Sequence, residues 1–159
     1  MNVRAALVSG VAAGLVSTVA QVALWVTFTD AFPAILWRDT RFAAAILLGS
    51  RALESAQDVL LIASAATLIH FVLSFAYALL LAMAIHRRAM RVAIAIGALL
   101  GAAVYVVNMH AFTAFFPWFV EARDPITLAA HLVFGVTAVV VYRGLDRRAS
   151  PIRLRDRNR

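Results

Sequence analysis

Apolar residues run through this chain in four long blocks, at roughly 5–29, 59–85, 92–115 and 126–142. Each exceeds the roughly 17 residues a helix needs to cross about 30 Å of hydrocarbon. The pattern predicts an all-α polytopic membrane protein. Its four transmembrane helices lie at about 4–29, 57–85, 90–114 and 125–143. They form a single four-helix bundle domain over residues 1–145, and 146–159 is a basic tail. The first block is read as a true span. Arg4 is the lone charge before it, and the run outlasts the roughly 7–15 apolar residues of a signal peptide.

Polar interruptions mark the connections. The first outer loop contains FPAILWRDTRFAAAILLGSRALESAQD. Pro33 and Trp37 suit the membrane interface, and Asp39 or Thr40 is placed to cap a short amphipathic helix over about 41–48. Phe42, Ile46 and Leu53 would lie along the membrane surface. Glu54 and Asp58 stand four apart at the start of the second span, near the positive end of its dipole. That spacing also lets two carboxylates share a metal, but a solvated helix start is the favoured reading. Asp124 can cap the fourth span with Pro125 at its first position, and Pro117 ends the third. Arg123 and Asp124 can pair across the turn.

Composition supports the membrane reading. The chain is 64% hydrophobic and 14% charged, against about a quarter charged in soluble domains, and cannot cover a water-exposed core. The absence of cysteine excludes disulfides, thiolate metal sites and thiol nucleophiles. The formal charge of +7 invites a nucleic-acid reading until the 15 basic residues, all arginine, are mapped. Eleven fall on the N-terminus, the 86–91 turn and the 143–159 tail, and four (Arg38, Arg41, Arg51, Arg123) on the other side. Six of the eight acidic residues lie with those four. The positive-inside rule puts both termini in the cytoplasm. The tail then serves topology and contact with anionic lipid headgroups, and no nucleic-acid partner is expected.

Two helices carry GxxxG, at Gly10–Gly14 and Gly97–Gly101, a spacing that lets membrane helices approach closely. Packing within the chain is the favoured use, and homodimerisation stands beside it. Aligning Gly10 with Gly97 brings Gln21 onto Asn108, Trp25 onto Phe112 and Phe28 onto Phe115. Aligning His70 with His131 overlays TLIHFVLSF on LAAHLVFGV. The pattern is that of a parallel two-helix repeat about an axis along the membrane normal.

Intramembrane polar groups are functional candidates by default. Counting 1.5 Å per residue from the flanking arginines puts Gln21, His70 and Asn108 at roughly 25 Å, His110 at roughly 28 Å and His131 at roughly 18 Å. All lie in the outer half of the core, one layer drawn from four helices. Tyr105 and Thr67 sit one turn from Asn108 and His70. These residues are read as a polar pocket rimmed by Trp25, Phe112, Phe115, Phe116, Trp118 and Phe119. Asn108 is expected to face the interior and His110 to reach it from the side. His86 is read as an interfacial residue.

Three uses of the layer stay open. The polar groups fix helix packing; or His70 and His131 ligate a haem, or a metal together with His110; or the pocket holds a quinone or another lipid-soluble molecule through a histidine and Asn108. A small transporter or channel is a further alternative, although no acidic run marks an ion path. The chain has no HExxH, Walker or dinucleotide-binding pattern.

The stretches LWRDTRFAAAILLG, LIHFVLSFAYALLLA, VYVVNMHAFTAFFPWF and ITLAAHLVFG resemble a group of small four-span proteobacterial inner-membrane proteins. The resemblance touches all four spans and is strongest around Asn108, His110, Phe116, Pro117 and Trp118. It implies a bacterial cytoplasmic membrane location and no defined activity, cofactor or substrate. The leading expectation is a non-enzymatic accessory, scaffold or envelope protein. Its partners are lipids and either a second copy or a larger membrane complex.

Overall fold

α1 (Val3–Phe28) starts at Asn2, whose side-chain oxygen accepts from the Ala5 amide at 3.1 Å. The structure is a computed structural model and describes residues 1–54 and 58–149. α2 (Ala34–Leu48) follows in the first loop and ends at Gly49, whose φ of 73° favours glycine. A short 3-10 turn at Ser50–Leu53 precedes α3 (Val59–Ile85). Asp58 caps α3 by accepting from the Leu60 and Leu61 amides. α4 (Met90–Val106) continues as a π turn at Val107–Ala111 and a 3-10 turn at Phe112–Ala114. A second 3-10 turn, Pro117–Ala122, leads to α5 (Pro125–Ala149). Asp124 caps α5, accepting from the Thr127 amide and hydroxyl.

α1, α3, α4 with its continuation to Ala114, and α5 are each long and apolar enough to cross a membrane. The protein is a multi-pass, four-helix membrane protein. Its interior is built from small residues: Ala5, Ala6, Ser9, Gly10, Ala13, Gly14 and Ser17 are the buried side of α1. Many large apolar residues point outward, with Val19 and Leu99 about 70% exposed, while Trp25, Ile62, Leu81, Ile85 and Tyr142 are buried. This arrangement suits lipid, where small residues let backbones approach and bulky ones solvate the outer surface.

α1 lies against α3 and α5, and α5 against α4, whereas α3 meets α4 only thinly. Gly10 faces Ser74 and Ala78 of α3, and Gly14 faces His70 and Ser74. Gly97 faces Gly135 and Val139 of α5, and Gly101 faces the His131 backbone. Both GxxxG faces are thus occupied within the chain. The repeat alignment has a structural counterpart: α1 on α3 matches α4 on α5, and each second glycine meets the aligned histidine. A twofold bundle would also match α1–α5 with α4–α3. That match fails, and a gap opens beside α3.

Several expectations need correction. The loop helix starts at Ala34 with Pro33 at its N-cap, so Asp39 and Thr40 lie inside it rather than at its cap. The helix therefore begins seven residues, about two turns, before the predicted 41. Phe42 is buried between α2 and the 117–122 turn, not spread on a membrane surface. Glu54 ends the 3-10 turn, apart from α3. Arg123 bonds to Met109 and Thr113 while Asp124 caps α5, so the two do not pair. α5 runs past 143 and past the boundary drawn at 145, continuing through Gly144 to Ala149. Tail residues from 150 onward, Arg153, Arg155, Arg157 and Arg159 among them, lie outside the described residues, as does the predicted start of the second span at 57.

Candidate functional site

The half of the bundle next to α2 and the Pro117–Ala122 turn is hollow. A cavity of about 560 Å³ is walled by α1, α3, the end of α4 and the start of α5, and covered by α2. Below it lies a smaller chamber of about 170 Å³. Thr18, Gln21, His70, Leu73, Asn108 and His131 line both, so the two spaces share one polar boundary.

One hydrogen-bonded chain organises that boundary. The Tyr77 hydroxyl donates to Asn108 Oδ1 at 2.8 Å. The Asn108 amide faces His131 Nε2 at 3.4 Å, and His131 Nδ1 donates to the Thr127 carbonyl at 2.7 Å. This ordering leaves His131 neutral, with its proton on Nδ1 and its lone pair toward Asn108. Gln21 Nε2 donates to the Thr127 hydroxyl at 3.2 Å, which in turn donates to Asp124 at 3.0 Å. The network therefore joins four helices and ends on the α5 cap.

His70 differs. It makes no hydrogen bond of normal geometry, and its Nε2 is buried against Gly14 without a partner. Trp25 Nε1 is likewise buried and unpaired, in a side chain only 2% exposed. A buried polar group left unbonded costs about 1–3 kcal/mol. Both groups lie on the wall of the larger cavity.

The π turn at Val107–Ala111 sets the outer wall. Its wider winding turns Asn108 to the cavity and buries Met109, while His110 stays exposed. The loosened backbone is closed by side chains: Arg123 Nε donates to the Met109 carbonyl, and the Thr113 hydroxyl donates to the His110 carbonyl at 2.6 Å. Arg123 also donates to the Thr113 hydroxyl at 2.9 Å.

The roof is α2 together with the Pro117–Ala122 turn. Leu36, Asp39, Thr40, Ala43 and Ile46 face the cavity from α2. Trp118 Nε1 donates to the Phe42 carbonyl at 3.2 Å, and Phe42 meets Phe119 edge-on at 6.0 Å. Arg38 pairs with Asp39 at 2.8 Å and lies over Phe42. Burial pushes the Asp39 carboxyl above its ordinary range, and the Arg38 charge offsets part of that rise.

Of the residues singled out from sequence, Gln21, His70, Asn108 and His131 line the cavity together, with Trp25, Phe112 and Phe119. Tyr105 lies behind that wall, its ring edge-on to His131 at 5.7 Å and to His110 at 5.8 Å. His110 and Phe115 are exposed and do not line the cavity. Phe116 and Trp118 also stay off the lining, and Trp118 holds the roof instead. Tyr77 and Thr127 are the network members that the sequence did not flag. Tyr77 is hidden among apolar neighbours, and Thr127 sits so near a helix start that it reads as a capping residue. The one available signal was spacing: Thr127 is four residues before His131, a helical neighbour.

Among the described residues, no three His, Asp or Glu side chains converge as a metal site. His131 has both ring nitrogens engaged, and His110 is turned away, so neither pairs readily with His70 around an iron or a metal ion. His86 ties helix ends instead: Nε2 lies 3.1 Å from the N-terminal amine, Nδ1 3.4 Å from the Tyr142 hydroxyl, and its carbonyl accepts from Arg143.

Comparison with family models, curated proteins and solved structures finds no match to this chain.

Proposed function

We propose that this protein is a non-enzymatic binder of a lipid-soluble small molecule, held in the outer half of the bundle. The carrying observation is the roofed cavity with a mostly apolar wall and a few convergent polar groups. Its volume falls within the roughly 300–1,000 Å³ of small-molecule sites. The lining includes Leu15, Thr18 and Thr67, all exposed on the outer faces of α1 and α3. The cavity therefore opens sideways between those helices, toward lipid. The arginine distribution supports an orientation with the termini in the cytoplasm and the roof outward, and the resemblance named above implies a bacterial inner membrane. An accessory role in a larger membrane complex is compatible with this reading, the bound molecule being what the complex senses or retains.

Gentle extraction in lipid nanodiscs followed by mass analysis of copurifying molecules tests the proposal. One amphiphile enriched at a fixed ratio to protein is the expected result. Thr67→Trp, which places a bulky ring at the open side, should remove that enrichment while leaving the fold intact. Equal lipid profiles for the two proteins would overturn the reading. A haem band in the visible spectrum of the same sample would replace it with the redox alternative.

A further inference from the structure

The two halves of the polar layer are aligned by the internal repeat but are not used alike. In the second half, Asn108 of α4 bonds to His131 of α5, and His131 bonds onward to Thr127. The aligned pair in the first half is Gln21 of α1 and His70 of α3. Gln21 does not bond to His70; its amide crosses to the Thr127 hydroxyl instead. His70 is left with no bond of normal geometry, although it lines both chambers.

The remaining hydrogen-bonding capacity of this half has a definite sign. His70 Nε2 is shielded and leans on Gly14, whose carbonyl already accepts from the Ser17 and Thr18 hydroxyls. The backbone acceptor next to Nε2 is the Gly14 carbonyl, and we place the imidazole proton on Nε2 toward it. Nδ1 then keeps the lone pair; it makes no bond and is not among the shielded atoms. Gln21 spends its amide nitrogen on Thr127, which leaves its carbonyl oxygen as an acceptor. Two acceptors without donors therefore border the cavity.

Resting on the lipid-binding reading above, we propose that His70 and Gln21 form the head-group subsite, and that it takes an uncharged hydroxyl-bearing amphiphile such as an isoprenoid alcohol or a quinol. The hydroxyl donates to His70 Nδ1 or to the Gln21 carbonyl, and the apolar remainder lies between Leu15, Leu73 and Phe71 under the roof. Asn108 and His131 hold the wall and do not touch the head group. A head group that only accepts, such as an ether, leaves both of these acceptors unmet, and the donors it could meet are Trp25 Nε1 and the second Gln21 amide N–H.

The test compares a short isoprenoid alcohol with its methyl ether by equilibrium binding to the full chain in nanodiscs. The alcohol should bind saturably and about tenfold more tightly than the ether, the equivalent of one lost hydrogen bond. His70→Phe combined with Gln21→Leu, which removes both acceptors, should bring the alcohol down to the affinity of the ether. Equal affinity of wild-type protein for both probes would overturn the subsite while leaving the cavity as a lipid site. Saturable binding of neither would overturn the cavity reading and the subsite together. The comparison of probes on wild-type protein needs no variant to fold.

Discussion

Asn108 is the residue on which the interior turns, since it receives from Tyr77 and gives to His131. Asn108→Leu should cost about 1–3 kcal/mol, because it strands the Tyr77 hydroxyl and His131 Nε2 in a dry site. Adding Tyr77→Phe to that variant should cost less than it does alone, since its partner is already gone. Reversible unfolding in mixed micelles, run as a double-mutant cycle, reads this directly. Additive effects would mean that Asn108 and Tyr77 are not coupled. At this scale the sequence was unusually legible. A polar residue in a greasy run stands out, and counting residues from the flanking arginines placed Gln21, His70, Asn108 and His131 at comparable depth. The same count put His110 at a similar depth, but Asn108 is the one expected to face inward and His110 to reach the interior from the side; His110 is exposed and off the lining. Residues two apart on a helix face different ways, and the π turn gives the inward direction to Asn108 and Met109. No residue type in VNMHA announces a π turn, so its position was not readable.

At the scale of elements, the glycine contacts separate two kinds of helix pair. A side chain at Gly101 would run into the His131 backbone, which cannot retreat, whereas at Gly14 it would meet the His70 ring at 2.9 Å. Gly101→Ala should therefore severely destabilise the α4–α5 pair. Gly14→Ala should fold with a modest loss and with His70 displaced. Expression in membranes and thermal unfolding distinguish the two, and equal loss from both would contradict the rigid-against-flexible distinction. The roof has a different sensitivity. Burial raises the Asp39 carboxyl above its unfolded value; Arg38 opposes that rise, and Asp124 and Glu121 add to it. A raised carboxylate favours the folded form while protonated. Roof docking should be fully held below the ordinary carboxylate range and weaken as pH climbs through the raised value. Asp39→Asn should flatten that dependence. Quenching of Trp118 fluorescence, followed from acid to neutral pH, checks it. The sequence announced a loop helix here but mistook its start, because the helix begins at Pro33 without a polar side-chain cap. It also placed Phe42 on the membrane surface, since nothing local tells that a distant turn, Pro117–Ala122, covers it.

For the whole molecule, the decisive question is which leaflet feeds the cavity. Four spans require both termini on one side, and the connection at 86–89 on that side too. α2 and the Pro117–Ala122 turn then share the opposite side, where the cavity is roofed. On the proposed positive-inside orientation that roof would face outward, and the opening between α1 and α3 would then meet the outer leaflet. The chain has no cysteine, so it is its own background for thiol labelling. Ser50 and Val120 are exposed on the roof side, and Ala89 is exposed on the turn between α3 and α4. With a membrane-impermeant maleimide on intact cells stripped of their outer envelope, Ser50→Cys and Val120→Cys should label at once. Ala89→Cys should label only after lysis. The reverse pattern would invert the molecule and make the cytoplasmic leaflet the source of the bound lipid, without altering the cavity or its head-group subsite. Labelling of Ser50→Cys without Val120→Cys would be harder on the fold, because the two positions belong to one roof and must face the same water.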